Sequence, residues 1–335
     1  MKLNFLCMCA FIAILLLPGF AQDQSPQADQ TIRVRVDMVS LPVVVTDKTG
    51  RRITDLTKDD FQVFENGVQQ EIAGFAATDE PIKVALLLDT SGSTEFKLAK
   101  IQNAAIGFVH QLHPDDEVAV LSFADDVKLQ EDFTIDRKKN EYGIKKTRTG
   151  ECTVMYEAVW LALEEVLKPV QERKALVIFS DGVDTCSRKA GMGETLDLSK
   201  ESGATIFCVY YNTEGDVYRR SNKSILGGGP LPPIVMSPYP PSIGGPGTSS
   251  VESSSGRRYL ASLAENSGGL LFDGMSNLEN AFSEVAGELA SQYSIGYYST
   301  DERRDGKFRK IQVKVDKPGL SVRTKKGYYA KKAKK

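Results

Sequence analysis

Histidine, tryptophan and cysteine are scarce in this chain, and neither charge sign is in excess. Two histidines, one tryptophan and five cysteines occur among 335 residues, and 42 Lys and Arg face 44 Asp and Glu. The two histidines, His110 and His113, stand three apart with no cysteine or third histidine in reach. That excludes the common zinc donor sets and reads both as helix-end residues. It also leaves any serine nucleophile without a histidine base at a strand end. Balanced charge provides no global field to attract nucleic acid. Beyond the first residues no apolar run is long enough to span a bilayer.

Lys2 precedes an apolar run over residues 11–17, followed by Pro18-Gly19-Phe20-Ala21 and the polar Gln22-Asp23-Gln24. This pattern predicts a secretory signal peptide over 1–21, cleaved after Ala21. The run is shorter than the ~20 residues that a membrane span needs. The mature protein is therefore expected to be exported, periplasmic or extracellular, with no membrane span. Cys7 and Cys9 leave with the leader, and Cys208 lies in an apolar run over 204–210 that reads as a buried strand. In an oxidising compartment one pair and one free thiol is the simplest arithmetic for three cysteines. Cys152 and Cys186 both fall in loops, so a disulfide between them is the pairing to test.

What is abundant is periodicity. Over 31–77 Ile32, Val34 and Val36 alternate with charged residues, then come strands at 41–45, 61–64 and 68–75 and an Asn66-Gly67 hairpin turn. Residues 55–60 suit a loop or helical turn. The middle alternates strand and helix: strands at 83–89, 117–123, 174–180, 204–211 and 269–272, helices at 95–112, 155–167, 196–202, 257–265 and 277–289. That alternation predicts an α/β fold with a doubly wound, mostly parallel sheet. Residues 221–256 break the pattern with Gly227-Gly228-Gly229-Pro230, Pro232-Pro233, Pro240-Pro241 and Ser253-Ser254-Ser255, reading as a flexible Gly/Pro/Ser-rich insertion. Strands return at 293–300, 308–315 and 320–329, before a basic tail at 331–335. Neither end can close a core alone. The expected organisation is thus a small β-sandwich built from 31–80 and 292–330, with the α/β domain, 81–291, inserted between them.

At the end of the first buried strand stands Asp89-Thr90-Ser91-Gly92-Ser93. One carboxylate and two short hydroxyls on a single turn can offer hard oxygen ligands to a divalent cation without filling its open position. The competing reading is that Ser91 and Ser93 cap the following helix. The turn resembles the DxSxS element of von Willebrand factor type A (VWA) domains, whose metal-ion-dependent adhesion site adds a threonine and an aspartate from two later loops. Thr153, in Gly150-Glu151-Cys152-Thr153-Val154-Met155-Tyr156, matches the family's GGTxLYDA loop, with Glu151-Cys152 departing from the pattern. Asp181, in Ser180-Asp181-Gly182, matches its SDG loop. The segments at 43–50, 56–61, 292–298 and 326–329 also resemble the VWA-related family of exported proteins abundant in Acidobacteria.

The resemblance implies a metal site of Asp89, Ser91, Ser93, Thr153 and Asp181, holding Mg2+, Mn2+ or Ca2+ with some ligands acting through water. Such a weakly neutralised ion can take a carboxylate from a protein partner as its last ligand. The function expected is a non-enzymatic, metal-dependent protein-binding module. The alternatives are a scaffold that uses the 221–256 insertion without metal, or a metal-assisted hydrolase. Asp115, Asp116 and Asp184 read as turn or capping residues, with Asp184 also placed to assist Asp181 from behind.

Overall fold

The computed structural model describes residues 38–94, 97–211, 250–274 and 277–330. The leader, the alternating segment at 31–37, most of the 221–256 insertion and the basic tail fall outside the described residues.

The chain enters with β1 (Val39–Thr46), a 3-10 turn at Lys58–Asp60, β2 (Phe61–Glu65), β3 (Val68–Gln70) and β4 (Ile72–Ala76). Asn66 and Gly67 turn β2 into β3 with φ of 48° and 85°, the left-handed pair that a tight hairpin with right-handed twist requires. An α/β body follows, starting with β5 (Lys83–Asp89), α1 (Leu98–Gln111), β6 (Glu117–Phe123), β7 (Val127–Thr134) and α2 (Arg137–Lys146). It continues with α3 (Met155–Leu161), which runs on as a π-helical segment, Ala162–Val166, then β8 (Lys174–Ser180), α4 (Met192–Glu201) and β9 (Thr205–Tyr210). It closes with α5 (Ser250–Ser267), β10 (Leu271–Asp273) and α6 (Leu278–Ala290). The last strands are β11 (Tyr293–Tyr297), β12 (Phe308–Val315), β13 (Ser321–Arg323) and β14 (Gly327–Tyr329).

The body is a six-stranded sheet in the order β10-β9-β8-β5-β6-β7, parallel except for β7. β5, β8 and β9 are buried nearly throughout, as strands covered on both faces must be. Phe108 and Phe282, from α1 and α6, fill one face; Met155, Tyr259 and Leu260, from α3 and α5, fill the other. The chain ends interleave in two antiparallel sheets, β13-β1-β11-β4 and β14-β12-β2-β3. Leu41, Val43, Val63, Tyr293, Ile295 and Val313 from both sheets share one core. The fold class expected from the sequence, a doubly wound sheet between strands that form a small sandwich, is the one observed.

Three differences matter. The expected single strands at 68–75 and 320–329 are each two short strands, and in both cases the halves belong to opposite sheets. β7 and α2 were not anticipated. The helix expected to begin at 257 is already helical at Ser250, so Ser253-Ser254-Ser255 belongs to an ordered element, not to the insertion.

Candidate metal-binding site

β5 and β8 lie side by side with Leu88 opposite Phe179, so Asp89 and Ser180 meet at the carboxyl edge of the sheet. The Ser180 hydroxyl donates to Asp89 Oδ2 at 2.6 Å, and the Ser91 N–H donates to Oδ1 at 2.9 Å. Asp89 has no exposed surface. Burial pushes its carboxyl up, opposed by the hydrogen bonds from Ser180 and Ser91. These donors are neutral, so none of them cancels the carboxylate charge. Tyr211 is held in place by stacking on Phe179, with ring centroids 4.4 Å apart.

After Asp89 the Thr90 N–H and hydroxyl both donate to the Phe123 carbonyl, at 2.9 and 3.2 Å. The Ser91 carbonyl accepts the Thr94 N–H and hydroxyl, at 2.9 and 2.8 Å, closing a 3-10 turn, Gly92–Thr94. Ser93 lies in that turn, and its side chain is outside the described part. Helix α1 begins only at Leu98, with Lys97 as its N-cap and no side-chain cap. Ser91 therefore does not cap the helix; it sits 3% exposed beside Asp89 and hydrogen-bonds to it.

Thr153 is 8% exposed, and its loop is tied to three others. Its N–H donates to Thr185 Oγ1 at 2.9 Å, and its carbonyl accepts the Thr185 and Cys186 N–H groups at 2.9 and 3.1 Å. The Gly150 N–H donates to the Thr90 carbonyl and the Val154 N–H to the Ala124 carbonyl, at 3.0 and 2.9 Å. Cys152 and Cys186 form a disulfide, with Cα atoms 6.1 Å apart. Among the described residues Cys208 is the free thiol, and it is buried.

Asp181, directly after β8 and 5% exposed, accepts the Val183 N–H on Oδ1 at 3.0 Å. Its loop is closed by the Gly182 N–H donating to Ser180 Oγ at 2.9 Å. Gly182 has a φ of 76°, and a Cβ there would sit 2.4 Å from the Gly256 carbonyl oxygen. Helix α5 thus packs backbone against backbone on the Asp181 loop. Asp184 turns away to the start of α3, where it accepts the Tyr156 N–H at 3.2 Å, the capping role expected of it.

The loops that carry Asp89, Ser91, Thr153 and Asp181 are therefore gathered at one edge and bonded to one another. Their chemistry is that of a hard-cation donor set, short oxygen side chains around a buried carboxylate with lone pairs to spare. Among the described residues no group of three or more His, Cys, Asp or Glu side chains is disposed to hold a metal. A cation here would instead combine two carboxylates with hydroxyl oxygens. His110 and His113 lie at the other end of α1, next to the start of β6; His110 Nε2 is 2.8 Å from Glu141.

Sequence reasoning missed Ser180, Thr185, Tyr211 and Asp125 as parts of this edge. Ser180 could have been found, since it ends a buried strand immediately before Asp181.

Residues 84–183 match the von Willebrand factor type A domain model. The matched region contains Asp89, Ser91, Ser93, Thr153 and Asp181 and ends two residues beyond Asp181. No curated protein matches the chain. Among solved structures, a conserved hypothetical protein, BatB, from Bacteroides thetaiotaomicron is 17% identical with a TM-score of 0.45, over 62% of this chain and 97% of its own. A von Willebrand factor type A protein from Catenulispora acidiphila is 13% identical with a TM-score of 0.46, over 81% and 63%. Proximal thread matrix protein 1 from the mussel byssus, with a zinc-occupied MIDAS motif, is 17% identical with a TM-score of 0.43, over 66% and 48%. Among the described residues no helix is long and apolar enough to cross a membrane.

Proposed function

We propose that this is an exported, non-enzymatic binding module that engages a partner protein through a divalent cation held by Asp89, Ser91, Ser93, Thr153 and Asp181. Mg2+ is the expected ion, with Mn2+ or Ca2+ as substitutes. The observation that carries the reading is Asp89. A carboxylate with no exposed surface, surrounded by neutral donors within a VWA match, costs several kcal/mol to ionise unless a cation balances it. Two anionic ligands leave a divalent ion electrophilic enough to accept a carboxylate from a partner. The sandwich strands at 31–80 and 292–330 would serve as the pedestal, and the motifs along them favour kinship with the VWA-related exported proteins of Acidobacteria.

Titration calorimetry of Mg2+ and Mn2+ into the mature protein, beside Asp181→Ala, tests this. Saturable binding that the substitution abolishes is expected; heat of equal size in both proteins would reduce the interaction to nonspecific carboxylate binding and overturn the reading.

A further inference from the structure

The Thr153 loop departs from the VWA pattern at Glu151-Cys152, and both residues are engaged. The Asp125 carboxylate, from the turn between β6 and β7, accepts the Glu151 and Cys152 N–H groups on Oδ1 at 2.9 and 2.7 Å. A Cβ on Gly150 would lie 2.6 Å from Asp125 Oδ2, so the carboxylate approaches closely because residue 150 has no side chain. One residue on, the disulfide ties Cys152 to Cys186, whose own N–H donates to the Thr153 carbonyl. Asp125 fixes the loop on the β6 side and the disulfide fixes it on the Asp181 side. Both restraints act on Cys152, the residue directly before Thr153.

We infer that Asp125 and the Cys152–Cys186 disulfide are the positioning device that presents Thr153 to the cation, so that the site is competent only in the oxidised protein. The inference rests on the cation reading above. Where the family has Gly-Gly, this chain has Glu151-Cys152, and both are anchored from outside the loop, by a carboxylate and by a covalent bond. The disulfide is half-buried, within reach of a small dithiol. In the reduction, two electrons and two protons pass to the Cys152 and Cys186 sulfurs, the S–S bond opens to two thiols, and the dithiol closes to its own disulfide. Without the bond, the Thr185 and Cys186 N–H groups are no longer held against the Thr153 carbonyl by a covalent tether.

The test uses the full mature chain and Mg2+ alone, with two readouts. In metal-free protein, hydrogen exchange at the Glu151, Cys152, Thr185 and Cys186 amides should accelerate after dithiol treatment, and Asp125→Ala should do the same at residues 151 and 152. Loss of a group that orients a ligand weakens metal binding by about 10–100-fold, and that loss of Mg2+ affinity is expected for the reduced protein and for Asp125→Ala. Asp125→Asn retains the accepting oxygen and should stay within about threefold of wild type. Reoxidation should restore affinity, and far-UV circular dichroism should show the reduced chain still folded. Unchanged Mg2+ affinity after reduction overturns the inference, as does Asp125→Asn failing as badly as Asp125→Ala, since charge and not positioning would then be what matters. If the oxidised wild type binds no Mg2+, the cation reading itself has failed, an outcome distinct from binding that is indifferent to reduction.

Discussion

Lys325 is a lysine carried indoors. It is 4% exposed, and burial alone draws its ammonium down to about 8 from an ordinary 10.5. The sign follows from proton counting: between pH 8 and 10.5 the unfolded chain holds a proton that the folded chain has released, so stability rises with pH across that window. Below about pH 8 the folded state bears the whole cost of burying the charge, roughly 3 kcal/mol. Lys325→Met keeps the length of the side chain without the charge. It should stabilise the protein at pH 7 by up to roughly that amount and flatten the rise between pH 8 and 10.5 in urea unfolding curves. A wild-type curve that is already flat there would mean that the amine reaches water. The same energetics made Asp89 legible in the sequence, because a carboxylate that ends an apolar run is an expensive placement that calls for a reason. Thr185 and Asp125 were not legible: a hydroxyl or an aspartate at a turn has local uses that cost nothing, and only the folded chain shows what each one reaches.

At the scale of elements, the buried parallel strands were readable from their unbroken apolar runs, and β7 and α2 were not. β7 is an edge strand with no fully buried residue, and α2 buries Asn140, Gly143 and Ile144, so neither presents an apolar stripe. The broken returns at 68–75 and 320–329 were hidden for a different reason. No Gly, Pro, Asn or Asp marks a break at Glu71 or at Thr324-Lys325-Lys326, yet the chain changes partners there from one sheet to the other, and pairing is not encoded in the period. Helix α5 shows how composition can mislead, since its serine-rich start reads as linker yet Gly256 lies on the Asp181 loop. A Cβ on Gly256 would sit 2.4 Å from the Asp181 carbonyl oxygen. Gly256→Ala must therefore push α5 and the loop apart, at a cost of about 1–3 kcal/mol for overpacking, and should weaken Mg2+ binding with it. Ser254→Ala, exposed on the same helix, is the control that should change neither quantity. Denaturation and titration of the pair check this; equal behaviour of the two variants would show that the helix yields without disturbing the loop.

The whole molecule poses the question of why a sandwich built from both chain ends and a separate α/β body should behave as one object. Their cores are distinct, and the chain passes between them twice, before β5 and after α6. Arg173, 8% exposed at the start of β8, grips both crossings. Its guanidinium donates to the Thr78 and Glu80 carbonyls on the way in and to the Leu289 and Gln292 carbonyls, at 3.3 and 2.7 Å, on the way out. A second clasp lies one residue earlier on α6, where the buried Glu288 takes Arg52 on one oxygen, at 2.8 Å, and Arg323 of β13 on the other. A guanidinium that satisfies four carbonyls stabilises only the joined arrangement, so it contributes coupling more than it contributes to either core. Arg173→Met should then split unfolding into two steps where the wild type has one. The sequence supplies the probe, since Trp160 on α3 is the single tryptophan and reports the α/β body, while far-UV circular dichroism reports all elements. In the wild type the two signals should trace one urea transition, the mark of two-state unfolding. In Arg173→Met the circular dichroism change should begin at lower urea than the Trp160 change, as the sandwich opens first. Coincident transitions in the variant would locate the coupling in the Glu288 clasp instead, and the same pair of signals measured on Glu288→Ala would then separate.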